Sequence, residues 1–160
     1  MRNLIFPSKY VQSYIMKRSF LTLLAALACF GLAGQESPAG LWKSIDDSTG
    51  EAKSHVEIFE QNGAYYGRIV KILTDNTDAR CTDCSGEKAD QPVLGLLIIE
   101  DLQPYKDYWR KGTILDPENG NEYRCSVWFE EGEPNRLRVR GKHWTGLYRT
   151  QVWERVGAAK

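Results

Sequence analysis

The feature of this 160-residue chain that most constrains its fold is a series of short segments in which buried-type and surface-type residues alternate. In one of them Tyr123, Cys125, Val127 and Phe129 share one face, and the residues between them share the other. A repeat of two is typical of β-strands, and the chain from residue 40 onward has no helical repeat longer than about two turns. We predict eight strands, near residues 40–46, 54–61, 64–72, 94–102, 107–115, 121–130, 136–142 and 147–155.

Tight turns separate these segments. Asn62-Gly63 predicts a hairpin, because Asn and Gly tolerate the two positive φ angles of a type I′ turn. Residues 116–120 and 131–135 each combine Pro, Gly and Asn, which also favour turns. Eight strands joined mostly by hairpins are the number at which a sheet closes around a space for one small ligand. The prediction is therefore an all-β, eight-stranded antiparallel up-and-down barrel.

Two regions depart from the alternation. Residues 94–102 are apolar on both faces, which indicates a strand covered on both sides or a short helix. Residues 74–92 are polar and have no repeat, so we expect a long loop that either forms a lid or is strapped against the barrel.

The N-terminal segment is typical of a secretory signal. Lys17 and Arg18 precede an apolar run over residues 20–32, and the small residues Ala33 and Gly34 follow. The run is too short to cross a bilayer, so we expect no transmembrane span.

These features predict three parts of the chain: a signal peptide at 1–34 (with Met16 as the true start), a barrel domain at 35–156 and a tail at 157–160. Cys29 follows a small residue, as a lipid-attachment cysteine would, but Ala26 stands where Leu is expected. We therefore expect simple cleavage and a periplasmic or secreted protein rather than a lipoprotein.

Charge excludes one class of partner. Four of the 21 basic residues lie in the signal segment and all 21 acidic residues follow it, so the mature chain has a net charge of −4. This balance does not fit nucleic acid as a partner. The sequence also shows no run of basic residues suited to an anionic membrane surface.

Six motifs occur in order along residues 38–156, at 38–42, 62–67, 91–96, 114–123, 137–141 and 149–155. Together they resemble a bacterial secreted family known only as domain of unknown function 2147. The resemblance implies a calycin-type, lipocalin-like barrel of the cell envelope and carries no activity with it. The chain departs from the family pattern at Gly141-Lys142-His143-Trp144, where an apolar stretch is expected.

The lipocalin-like pattern also implies how one end of the barrel closes. Such barrels are plugged by a Gly-x-Trp on the first strand, here Gly40 and Trp42, and by an arginine on the last strand. We expect Arg149 to fill that role and Trp153 to share the floor with Trp42. A guanidinium stacked on an indole contributes about 0.5–2 kcal/mol.

Three cysteines, Cys81, Cys84 and Cys125, remain in the mature chain. In an exported protein a disulfide is the default. A Cys81–Cys84 bridge would staple the loop tip, whereas a bridge from either to Cys125 would pin the loop to a strand. Metal or redox chemistry is a third alternative. No metal site is predicted, because no second Cys/His pair has ligand spacing.

Two sets of side chains allow a binding interpretation. Arg136, Arg138 and Arg140 either form a solvated outer stripe or point inward, where Arg140 would bind a carboxylate or phosphate. Three tryptophans, Trp109, Trp128 and Trp144, either line a cavity or belong to the core. The two histidines of the chain, His55 and His143, are expected to be structural.

The leading functional hypothesis is non-enzymatic binding of a small apolar or amphipathic molecule in the barrel mouth, without a cofactor. Its predicted ligand-binding residues are Trp109, Trp128, Arg140 and Trp144. The alternative is a structural or interaction module of the cell envelope, in which a filled barrel docks an envelope protein. An enzymatic site would require His55 or His143 beside a nucleophile or carboxylate.

Overall fold

The structure, a computed structural model, describes residues 36–157, which form a closed antiparallel barrel. Its strands are β1 (Gly40–Ile45), β2 (Ala52–Gln61), β3 (Ala64–Ile72), β4 (Leu97–Tyr105), β5 (Tyr108–Asp116), β6 (Asn121–Phe129), β7 (Arg136–Lys142) and β8 (Tyr148–Gly157). Each strand pairs with the next, and β8 returns to β1. The predicted eight-stranded up-and-down barrel is confirmed. The predicted signal peptide, Cys29 and the last three residues of the tail lie outside the described residues.

Helical structure within residues 36–157 is confined to a single 3-10 turn at Gly86–Lys88. Over the same range no helix has the length and apolar character needed to cross a membrane.

The β2–β3 hairpin forms as its sequence predicts. Asn62 and Gly63 both have positive φ, at 54° and 81°, and Gln61 pairs with Ala64 across the turn. On β2 the inward-facing residues repeat at every second position, so Val56 and Ile58 are buried inside the barrel, and Ile69 of β3 is buried opposite Val56.

The apolar segment at 94–102 is a strand rather than a helix, but it begins three residues later than predicted. Gly95 has a φ of 90° and donates its N–H to the carbonyl of Ile69 over 2.7 Å, so the chain turns before entering β4. Leu94 is left outside the strand and is 54% exposed. Ile98 and Ile99 are both buried although they are neighbours, which explains why both faces are apolar.

The long β3–β4 loop is strapped against the barrel. Lys88 forms ion pairs with Glu100 on β4 and, over 3.2 Å, with Glu122 on β6. The loop also packs against the β5–β6 turn, where a Cβ on Gly120 would lie 2.1 Å from the Asp83 carbonyl oxygen. The strapped loop, one of the two predicted alternatives, is therefore the observed one.

Candidate functional site

One end of the barrel is closed by a buried indole. Trp42 is 0% exposed and donates its Nε1–H to the carbonyl of Pro38 over 2.8 Å. Its ring centroid lies 5.9 Å from that of Phe129. Gly40, two residues earlier, has a φ of 146°, a conformation that favours glycine. This packing plugs the Trp42 end of the barrel.

Arg155, and not Arg149, is the arginine that covers Trp42. Its guanidinium carbon lies 4.1 Å from the indole centroid, and its nitrogens donate to the carbonyls of Ala39 and Ser37 over 3.1 and 3.4 Å. Burial lowers the pKa of Arg155 from the ordinary arginine value. The register explains the difference, since Arg155 is the residue of β8 that pairs with Trp42.

Arg149 instead lies at the opposite end of the barrel. It forms ion pairs with Asp46, over 3.4 Å, and with Asp47, both in the β1–β2 turn. The predicted role of Arg149 in closing the barrel is therefore wrong. Its contacts tie the β1–β2 turn to β8 at the edge of the open end.

The open end leads into a cavity of about 510 Å³ inside the barrel. Its wall is mostly apolar and is formed by inward-facing residues of several strands, among them Ile69, Ile98, Ile114, Leu115, Val139 and Trp153. The volume lies within the range of small-molecule sites, about 300–1,000 Å³. The barrel interior is therefore open at one end and plugged at the other.

Two polar pairs interrupt the apolar wall. The hydroxyls of Ser44 and Ser54 lie 2.8 Å apart on β1 and β2, and both residues are buried. On the adjacent strand β8, Trp153 donates its Nε1–H to Oε1 of Gln151 over 3.0 Å. That bond occupies the amide oxygen of Gln151, so its NH2 group is the donor that a ligand could use.

Charged residues surround the opening. Lys53 on β2 pairs with Glu118 in the β5–β6 turn over 3.2 Å. Hydrogen bonds from Ser48 and Thr49, together with Arg149, hold the pKa of Asp46 well below its usual range. The hydrogen bond from Arg149 likewise lowers the pKa of Asp47. The two rim aspartates are therefore ionised at neutral pH, whereas the cavity wall behind them is mostly apolar.

A family model described as "Uncharacterized protein conserved in bacteria (DUF2147)" matches residues 40–155, which span the barrel from β1 to β8. The chain belongs to this DUF2147 family. Its fold is similar to the solved structure of HP1028 from the human pathogen Helicobacter pylori, a protein described as belonging to the lipocalin family. That structure has 18% sequence identity and a TM-score of 0.64, and the match covers 75% of this chain and 83% of the other. No curated protein matches this DUF2147 sequence.

The four residues predicted to bind a ligand are not brought together in this DUF2147 protein, and none lines the cavity. Trp109 is buried in the core, edge-on to Tyr65 at 6.0 Å. Trp128 and Arg140 lie side by side on the outer face, with 4.8 Å between guanidinium carbon and indole centroid. Trp144 lies in the β7–β8 turn and is 84% exposed.

The cavity residues were missed because alternation shows which face a residue occupies but not which end of the barrel it reaches. One signal was available in the sequence: Gln151 is a polar residue at an inward position of β8, two residues from Trp153. The outer-stripe alternative for the arginines is the observed one. Leu137 and Val139 are buried between them, and Arg136 and Arg138 form ion pairs with Glu133.

The cysteines form the local bridge, one of the pairings left open by the sequence. Cys81 and Cys84 are joined with their Cα atoms 5.3 Å apart. Cys125 is a free buried thiol on β6, and burial raises its pKa to about 12. A thiol with that pKa is protonated at neutral pH and is a poor nucleophile or metal ligand.

The histidines have no catalytic arrangement in the described part of the chain. His143 shares a 2.9 Å hydrogen bond with the Thr145 hydroxyl through Nδ1, and it lines the cavity mouth. His55 faces away from the cavity, and burial together with Lys71 and Lys43 lowers its pKa. Within residues 36–157 no three Cys, His, Asp or Glu side chains are grouped so as to hold a metal ion.

Proposed function

We propose that this DUF2147 protein binds a small amphipathic molecule in the barrel mouth, with its apolar part inside and its polar head at the rim. The observation that carries the proposal is the cavity of about 510 Å³, which is apolar within and charged at its edge. Burial of apolar ligand surface contributes roughly 25 cal/mol per Å². A long apolar group therefore gains the most from entering this cavity.

The polar groups favour an amphipathic ligand over a purely apolar one. Ser44, Ser54 and Gln151 offer hydrogen bonds within the cavity, and Lys53 and Arg149 are cations at its edge. A ligand with a hydroxyl, ester or carboxylate near one end would satisfy these groups. A filled barrel acting as a structural module is the less favoured alternative, because a cavity of about 510 Å³ remains at the open end of this barrel.

Export to the periplasm or beyond is also part of the proposal. It is supported by the signal-like sequence of residues 1–34 and by the Cys81–Cys84 bridge, since disulfides persist mainly in oxidising compartments. Mass spectrometry of the protein purified from its host should then find a chain without residues 1–34 and with the bridge formed. A full-length N-terminus in that spectrum would contradict export.

Ligand binding is tested by titrating the protein with a fatty acid that carries a nitroxide quencher. Because Trp153 lies on the cavity wall, a probe in the cavity should quench its fluorescence in a saturable manner. The titration is best done in the Trp144→Phe background, which removes the most exposed indole. Absence of saturable quenching would contradict the proposal.

A matched pair of variants locates the binding. Val139→Phe fills the cavity and is expected to weaken probe binding by about tenfold or more. Val152→Phe makes the same change on the neighbouring strand at a position outside the cavity lining, and it should leave the affinity unchanged. Equal effects of the two variants would show that the probe binds elsewhere.

A further inference from the structure

The fold gathers basic residues that are scattered in the sequence. An outer groove of about 550 Å³ runs across β5, β6 and β7 and is lined by Lys111, Arg124, Arg140 and Lys142. Asp107 is the carboxylate on the same lining. Because these residues come from three strands, no run of basic residues in the sequence reveals them. The barrel thus has a positive face, although acidic residues outnumber basic ones after residue 34.

These four cations are not neutralised by ion pairs within the described chain. The neighbouring basic residues of β7 are neutralised, since Arg136 and Arg138 pair with Glu133 over 2.9 and 3.1 Å. Arg124 and Lys142 are opposite each other in the β6–β7 register, so their like charges are adjacent. Like charges placed opposite one another are unfavourable in a sheet unless an anion binds between them.

Arg140 is held in place for such an anion. Its Nε donates to the Thr150 hydroxyl over 2.9 Å, and its guanidinium carbon lies 4.8 and 4.4 Å from the ring centroids of Trp128 and Tyr148. A guanidinium fixed between two rings loses little entropy when its terminal nitrogens bind an oxyanion, and phosphate matches its fork geometry.

An apolar tip lies beside this groove. It consists of Trp144 and Leu147 in the β7–β8 turn and Tyr148 at the start of β8, which are 84%, 75% and 64% exposed. Tyr148 pairs with Lys142 of the groove, so tip and groove are continuous. Single exposed apolar residues are ordinary, but a cluster of large ones marks an interaction surface. Tryptophan beside lysine and arginine is the composition favoured at the interface of a bilayer.

The tip also borders the cavity. His143, Leu147 and Tyr148 line the cavity mouth, and the same turn carries Trp144. A surface that rested on this tip would therefore lie next to the opening. A membrane would then supply amphipathic molecules directly to the site.

We propose that the groove and the β7–β8 tip dock on an anionic phospholipid bilayer. Trp144 and Leu147 enter the interfacial region, and Arg124, Arg140 and Lys142 contact lipid phosphates. The proposal deepens the proposed function by naming membrane lipids as the source of the ligand, but docking itself does not require a ligand in the cavity. Without residues 1–34 the chain has a net charge of −4, which opposes approach in any other orientation.

The test is co-sedimentation with vesicles of phosphatidylcholine containing about one-third phosphatidylglycerol, compared with vesicles of phosphatidylcholine alone. Binding should be confined largely to the anionic vesicles and should weaken as salt is added. The emission of Trp144 should shift to shorter wavelength on binding, and Trp144→Phe should remove that shift. Equal binding to both compositions, or binding to neither, overturns the proposal.

Charge variants separate this face from the rest of the barrel. Lys142→Ala is expected to weaken binding to anionic vesicles about fivefold, and Arg124→Ala combined with Lys142→Ala by about 20-fold. Lys71→Ala removes one charge from the exposed face of β3, a strand that does not contribute to the groove, and should leave the affinity nearly unchanged. If Lys71→Ala and Lys142→Ala weaken binding equally, the groove is not the docking surface.

The Val139→Phe variant distinguishes membrane docking from ligand binding in the cavity. It fills the cavity but leaves the groove and tip intact, so it should still bind anionic vesicles with the affinity of the parent protein. If vesicle binding falls with cavity filling, the vesicles are only a source of ligand and the docking proposal fails. If the fatty-acid titration fails while Val139→Phe and the parent both bind vesicles, docking stands and ligand binding fails.

Discussion

The two ends of this barrel use the same residue types in opposite ways. At the closed end Trp42 and Arg155 are packed together, and their polar hydrogens are donated to main-chain carbonyls. At the open end Trp144 is exposed to solvent, and Arg149 makes ion pairs on the rim. The closed end is thus stabilised by burial, whereas the open end exposes the groups that a ligand or a surface can contact. We therefore expect substitutions at the closed end to change mainly the stability of the fold, and substitutions at the open end to change mainly binding.

The largest expected effect distinguishes the two tryptophans. Trp42→Ala removes a fully buried indole and should lower the free energy of unfolding by about 3–5 kcal/mol, measured by urea denaturation. Trp144→Ala removes a solvent-exposed indole and should change the free energy of unfolding by less than about 0.5 kcal/mol. Comparable losses in the two variants would contradict the division of roles between the two ends.

A smaller effect distinguishes the two arginines. Arg155→Ala should cost about 1–2 kcal/mol of unfolding free energy, because it removes a partly buried cation–π contact and leaves carbonyls at Ala39 and Ser37 without their donor. Arg149→Ala removes ion pairs to Asp46 and Asp47 in which the arginine is half exposed, and it should cost clearly less unfolding free energy. The reverse order would restore Arg149 as the residue that closes the barrel.

The smallest effect lies in the titration of the two rim aspartates. Both pKa values are depressed, so their interactions stabilise the fold above the ordinary aspartate pKa, about 3.9, and this stabilisation is lost as pH falls through the depressed values. The parent protein and Arg149→Ala should therefore differ less in melting temperature once the pH is lowered below the ordinary aspartate pKa, about 3.9.

Carboxyl NMR titration sharpens the same prediction. In Arg149→Ala the pKa of Asp47 should rise toward its usual value, because a hydrogen bond from Arg149 is the main cause of its depression. Asp46 should stay low, because its main partners are Ser48 and Thr49. A large rise at Asp46 would show that Arg149, rather than the turn, controls that carboxylate.

The fold was predictable from the sequence because most of its information is local. The Asn62-Gly63 turn and the alternation of Tyr123 to Phe129 act within a few residues, and hairpins then dictate which strands are neighbours. The start of β4 was less predictable, because Gly95 turns the chain to donate to Ile69, a residue on another strand.

The site was less predictable because it depends on contacts distant in sequence. Whether Arg149 or Arg155 lies over Trp42 is decided by the register of β8 against β1, which no local pattern encodes. The basic groove has the same origin, since Lys111, Arg124 and Lys142 are adjacent only after three strands have paired. Two sequence features pointed to this region: the departure from the family pattern at residues 141–144, and the candidate binding residues Trp128 and Arg140, which the structure places on the outer face.

The pairing of Leu41 with Gly157 brings the two ends of the domain together. Every other seam, meaning a pair of hydrogen-bonded neighbouring strands, joins strands that are consecutive along the chain. Those seven seams can form as the chain emerges during synthesis. The β1–β8 seam must wait for the final strand, which makes ring closure the late, non-local step of folding. The pairing of β1 with β8 also makes the domain suitable for circular permutation. A short linker would join the ends of β8 and β1, and the new termini would lie at Asn62-Gly63. All eight seams would be kept, and only one turn would be lost.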